Sequence, residues 1–187
     1  GSRARVCCVM LSGAAFIWLV AEVWPVGWLY ETGQGLRVSP DSVGLLVTGY
    51  AWIVALTAIP LTLLTSGVDR RTLVAGLLLL AGSVDVACAF VTNYAVMAVL
   101  RVVLALGHGI FWSVIAGVAA RLAPAIPVAR PPGWAFTGVA VGFAGGIPRV
   151  SAIRPRLGCR AAFATCLVLP FVVFCPSPVR VPSLSAP

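Results

Sequence analysis

The sequence predicts an all-α membrane protein, a bundle of six transmembrane helices over residues 1–177 followed by a disordered tail over 178–187. Three observations carry that reading. Of 187 residues, 60% are apolar and only 10% charged, whereas soluble domains average about 25% charged residues. Mean hydropathy is +1.05. The apolar residues also gather into runs of helix length, roughly 20 residues being needed to cross a hydrocarbon core of ~30 Å.

The six runs lie near 7–30, 42–66, 72–92, 94–119, 134–153 and 161–177. The first, CCVMLSGAAFIWLVAEVWPVGWLY, follows Arg3 and Arg5. It is too long for a signal-peptide core of about 7–15 residues and reads as a helix entered from the cytoplasm. The second run follows a loop holding Glu31, Arg37 and Asp41. The third follows Asp69-Arg70-Arg71, and the fourth follows a tight turn at Asn93. Gly145, Gly146, Pro148 and Arg149 interrupt the fifth, and the sixth is short and holds Pro170.

Six spans bring both termini to one side. Arg3, Arg5, Arg70, Arg71, Arg121, Arg130 and Arg180 then fall in cytoplasmic segments, as the positive-inside rule expects. Arg154, Arg156 and Arg160 run against it, since their loop would face outward. The chain changes character near residue 124, where 11 of its 14 prolines begin. The tail SPVRVPSLSAP has neither helix period nor strand alternation.

The charge balance is 13 Arg and no Lys against five acids, net +8. In a soluble chain such a charge points to nucleic acid. Here the arginines sit between apolar runs, where they anchor loops at lipid headgroups, so the bilayer and not nucleic acid is the expected partner. The six cysteines show no metal spacing, and Cys88 and Cys166, inside apolar runs, read as small hydrophobes. No metal and no cofactor is expected. No phosphate-cradling loop or nucleophile elbow occurs, which argues against an ATP-driven pump, a membrane hydrolase or any other enzyme.

Three charges fall inside the spans at similar depth. Glu22 lies eight residues before Tyr30, and Asp85 and Arg101 each lie eight residues from Asn93. At 1.5 Å per residue all three sit roughly 10–12 Å below the outer surface. A carboxylate there costs about 2.5–3.5 kcal/mol or more, so an intramembrane acid is a functional candidate. Asp85 and Arg101 stand on antiparallel neighbours and can pair. A buried pair that only fixes helix register is one reading; a carboxylate that exchanges a proton as substrate comes and goes is the other, and Glu22 is then the better carrier.

His108 shares a helix face with Arg101, two turns on. It reads as a helix-packing residue or a relay, and Gly107 and Gly109 beside it permit close helix approach. Gly138, Gly142 and Gly146 make two small-xxx-small steps, a packing face. Trp24, Trp28, Tyr50 and Trp112 are candidates for lining a substrate path, or are otherwise core and interface aromatics. Asp69, Arg70 and Arg71 read as a short charged anchor loop.

The stretch AEVWPVGWLYETGQGLRVSPDSVGLLVTGYAWIVALTAIPLTLLT resembles the opening of the major facilitator superfamily. More narrowly it is similar to bacterial sugar and arabinose efflux permeases of the drug:proton antiporter group. Glu22, Pro25, Val26, Gly27, Val38, Ser39, Gly44, Leu45, Leu46, Val47, Thr48, Tyr50 and Ala51 fall on that pattern. Asp69-Arg70-Arg71 resembles the superfamily's cytoplasmic loop motif between helices two and three. NYAVMAVLRVVLALGHGIFWSV looks like the fourth-helix motif, and FTGVAVGFAGGIPRVSAIRPRLGCRAAF like the fifth helix and its following turn. Departures are Arg149 and Val150 after the fifth-helix Pro148, Cys159 where Trp is usual, and Asp85 where Asn is expected.

The resemblance implies proton-coupled efflux of sugars or small drug-like molecules across the bacterial inner membrane by alternating access. It implies that Arg101 helps couple protonation to the conformational change; Glu22, Asp85 and His108 are the further coupling candidates from the reading of the buried charges. It also implies a fold of two six-helix halves, of which this sequence matches the N-terminal one. The substrate site of such folds lies between the halves. A second half, or a second copy of the chain, is therefore an expected partner, and would also meet the Asp69 loop and the glycine face of the fifth helix. The alternatives are a truncated, transport-inactive fragment and a half-transporter active only as a dimer.

Overall fold

The computed structural model of the protein describes residues 2–27, 29–122, 130–146 and 148, and the expected sixth span lies outside them. Six helices and no strand are present among these residues. They are α1 Ser2–Gly27, α2 Leu29–Leu36, α3 Pro40–Leu64, α4 Arg70–Phe90, α5 Tyr94–Leu122 and α6 Arg130–Val141, the last passing into a π-helical turn at Gly142–Gly146. Pro40–Leu64, Thr72–Phe90 and Tyr94–Ile115 are long and apolar enough to cross a membrane, and Leu11–Val23 and Phe136–Gly145 are shorter apolar helices. Helices suit such a solvent because all their backbone polar groups pair within one segment.

Where the chain reverses, short polar residues do the work that water would do elsewhere. Helix α2 ends on a left-handed residue, Arg37 at φ 58°. Val38 then donates its N–H to Gly33 at 2.9 Å and Arg37 to Gln34 at 3.2 Å, the paired bonds of a Schellman cap. Gly33 is required there, since a Cβ would stand 2.9 Å from the Val38 carbonyl oxygen. Ser39 caps α3, its hydroxyl accepting from the Ser42 N–H at 3.3 Å, and Pro40 opens the helix where no N–H is needed. Asp69 caps α4 in the same way, accepting from the Thr72 N–H at 3.1 Å. Arg70 reaches back to the Thr65 carbonyl at 3.5 Å, so the short charged loop ties the end of α3 to the start of α4.

Inside the helices, hydroxyls bond back to their own turn. Thr57 donates to Ile53, Thr62 to Ala58 and Ser113 to Gly109, which hides each polar group from an apolar surrounding. Large side chains on α3 such as Leu45, Trp52, Leu56, Ile59 and Leu63 remain exposed on the outer surface. In a soluble protein that would be an aggregation hazard; on helices of membrane-crossing length an apolar surface of this kind suits lipid.

Helix α5 stands in the middle, packed on α1, α3, α4 and α6. Its buried residues Leu104, Ala105, Phe111 and Ile115 join Trp18 of α1, Tyr50 of α3 and Ala81 of α4 in one core. Small residues set the spacing. A Cβ on Gly109 would lie 3.0 Å from Ala58 Cα, and one on Gly107 would lie 3.0 Å from a Leu80 methyl and 3.1 Å from the Trp18 ring. Helix α6 lies on α1 through the glycine face: a Cβ on Gly138 would overlap the Ser12 carbonyl, and one on Gly142 would lie 2.6 Å from Leu19. That corrects the expectation that this face meets a second half. Its partner is α1 of the same bundle, because only glycine allows the two backbones so close.

Gly109→Leu should therefore push α5 from α3, where the obstacle is Ala58 backbone rather than a flexible side-chain tip. Overpacking of this kind costs about 1–3 kcal/mol. A lowered midpoint of thermal unfolding in detergent is expected, with Gly109→Ala affected less.

Candidate functional site

Among the described residues, the buried polar side chains are those of Asp85, Arg101 and His108, exposed to 0%, 2% and 3%. Arg101 and His108 converge on α1 at Ala21 and Glu22. Arg101 is fixed by main chain: Nη1 donates to the Ala21 carbonyl at 2.7 Å and Nη2 to the Glu22 carbonyl at 3.2 Å. The sequence explains why a carbonyl is free there. Pro25 has no N–H, so Ala21, four residues earlier, has no helical donor. The guanidinium supplies one. Its plane also lies over the Tyr50 ring, 4.4 Å from the centroid, a cation–π contact whose value grows out of water.

Tyr50 then turns its hydroxyl to His108, forming a short hydrogen bond to Nδ1. The other imidazole nitrogen, Nε2, stands 3.7 Å from the Glu22 carboxylate. With the neutral ring protonated on Nε2, the Tyr50 O–H donates to Nδ1 and Nε2–H faces Glu22. The ring is held on its remaining sides by aromatics. Trp18 packs edge-on at 5.2 Å between centroids and Trp112 tilted at 5.7 Å. Phe111 stacks on Trp18, and Phe136 of α6 stacks on Trp112 at 5.4 Å. Glu22 differs from its neighbours in access, its side chain being 39% exposed where that of His108 is 4%.

Asp85 is not bonded as its spacing suggests. It shares a level with Arg101, yet its two carboxylate oxygens have no hydrogen-bond partner, and neither does Arg101 Nε. The direct Asp85–Arg101 pair expected from the antiparallel register is not formed, because the guanidinium turns to the carbonyls of α1. The two still interact electrostatically. Likewise the contact of Arg101 with Glu22 is made to the main chain and not to the carboxylate.

The structure thus brings Glu22, Arg101, His108 and Tyr50 together, with Asp85 and Trp112 beside them. Asp69 and Arg70 belong to the opposite end of α4, at the loop, and the Arg71 side chain lies outside the described set. Trp24 and Trp28, proposed for a substrate path, also fall outside the described side chains. Two contributors escaped the sequence reading: Trp18, fully buried against His108, and the Ala21 carbonyl. Pro25 four residues after Ala21 was the available signal for the second; nothing distinguished Trp18 from other membrane aromatics. Among the described residues no three His, Cys, Asp or Glu side chains are placed to hold a metal.

A polar line of this kind, threading helices whose outer faces are apolar, suits movement of a solute or proton through a bilayer. The family model described as Major Facilitator Superfamily matches residues 6–183. The protein is a multi-pass membrane transporter of that kind, its helices are those of the N-terminal half of the fold, and the chain belongs to the major facilitator superfamily.

Proposed function

We propose that the chain drives proton-coupled efflux of sugars or small drug-like molecules by alternating access. The reading places it in the bacterial inner membrane, N-terminus inside, with six spans over 1–177, a tail over 178–187, and Asp69-Arg70-Arg71 as the cytoplasmic loop motif. The observation that carries the proposal is the line from the half-exposed Glu22 carboxylate through buried His108 to Tyr50, closed by Arg101. Glu22 takes up and releases the proton, since it alone combines access with a buried polar partner. His108 and Tyr50 report that event to Arg101, whose grip on α1 is made through the carbonyls of Ala21 and Glu22. Trp112 and Phe136 form an aromatic wall beside His108, suited to a sugar face or an apolar ring. A second six-helix half, or a second copy of the chain, closes the face on which Glu22 is exposed and completes the site.

Three outcomes are expected. Glu22→Gln inserts normally but abolishes efflux of radiolabelled arabinose or ethidium driven by an imposed proton gradient; undiminished efflux would remove Glu22 from the mechanism. Arg101→Ala takes the donor from the buried Ala21 and Glu22 carbonyls, at about 1–3 kcal/mol for buried acceptors left unsatisfied, and removes the cation that Asp85 feels. An unfolding midpoint equal to that of the parent would refute this. Tyr50→Phe keeps the ring under Arg101 but leaves His108 Nδ1 unpartnered, at about 1–3 kcal/mol. Thermal unfolding in detergent reads that loss.

A further inference from the structure

Asp85 is the buried group that the preceding reading leaves unused. It is 0% exposed, and both carboxylate oxygens lack a partner. An acid so placed is costly unless something of opposite charge answers it. Arg101 is the nearest answer in chemistry: it stands at the same level on the adjoining antiparallel helix, interacts electrostatically with Asp85, and has its own Nε unpartnered. Other groups facing the guanidinium are Glu22 of α1, Tyr50 of α3 and Cys88 of α4. Tyr50 offers a ring face, and Cys88 is a buried free thiol one turn from Asp85. Only Glu22 and Asp85 supply negative charge.

The two acids are not equivalent. Glu22 is 39% exposed and faces His108; Asp85 is sealed, and its oxygens accept no hydrogen bond. We infer that Asp85 is a positioning residue, the reserve counter-charge that holds Arg101 in the bundle whenever Glu22 is neutral. The inference rests on the proton-coupled reading only for what neutralises Glu22. When Glu22 is ionised, its charge lies beside the carbonyls that grip the guanidinium. When a proton settles on that carboxylate, its charge disappears, and Asp85 is the acid left that can ionise to answer the guanidinium. The unpartnered Nε and the unpartnered carboxylate are the two halves of the contact then made. It also accounts for an acid at a position where the resemblance leads one to expect an amide.

The test is a mutant cycle on the full chain, read as the folded, monodisperse fraction after solubilisation and heating, with no transport assay involved. Glu22→Gln mimics the protonated acid, and Asp85→Asn removes the reserve charge at constant shape. Each alone leaves Arg101 one anion and should retain most of the folded fraction. Together they should leave roughly tenfold less folded protein than the two single effects multiply to, as coupled neighbours do. Adding Arg101→Gln, which removes the orphaned cation while keeping an amide donor for Ala21, should restore the triple variant towards the singles. Additive single effects would overturn the proposal. So would a double variant that the third change fails to rescue, since that marks a packing defect. A cycle behaving as expected while Glu22→Gln still transports would sink proton coupling and leave the Asp85 role standing.

Discussion

The bundle is organised around one contact: a fully buried guanidinium bonded to a main-chain carbonyl that a proline has set free. A charge inside an apolar core must find partners or be expelled. Arg101 finds them in Ala21 and Glu22 of α1 and in the ring of Tyr50 on α3. Three helices are joined by one side chain. Because two of the partners are neutral dipoles and the third is a π face, the positive charge is solvated without being cancelled. The acids nearby are left free to respond to it.

That arrangement depends on how closely α5 approaches its neighbours. Gly107 faces α1 and α4, Gly109 faces α3, and His108 lies between them. Glycine on both sides lets three helices close around an imidazole, which then bridges Tyr50 and Glu22. The same economy recurs where α6 meets α1 through Gly138 and Gly142. Membrane helices gain little from excluding lipid, so close contact and internal polar bonds supply the specificity. The polar line and the glycine seams are therefore parts of one device: the seams bring the groups within reach, and the groups pin the seams.

Much of this was readable from the sequence, because composition and run length constrain a membrane protein more tightly than a soluble one. The all-helical class and the tight-packing role of Gly107 and Gly109 follow from composition and spacing. What spacing could not supply is the direction in which a long side chain points. Asp85 and Arg101 face the same level, and pairing them is the obvious choice until the vacant Ala21 carbonyl is counted. Pro25 announces that vacancy, but only a structure shows α5 close enough to use it. The glycine face of α6 was assigned to a second half for a similar reason: a small-residue stripe tells that something packs there, not what.

Access separates the roles that charge alone leaves mixed. Glu22 and Asp85 are both acids near Arg101, and a charge count treats them alike. Exposure does not. The Glu22 side chain is 39% exposed, while His108 stays buried behind it against Trp18 and Trp112. Proton exchange with solvent needs the first condition, and a response inside the bundle needs the second. In the proposed reading the acid at the surface of the site changes state, and the buried imidazole feels the change at 3.7 Å. Tyr50 carries it to the ring face under Arg101. A signal passed this way reaches α1, α3 and α5 together, which are the helices that must move as a body if the chain opens alternately to the two sides.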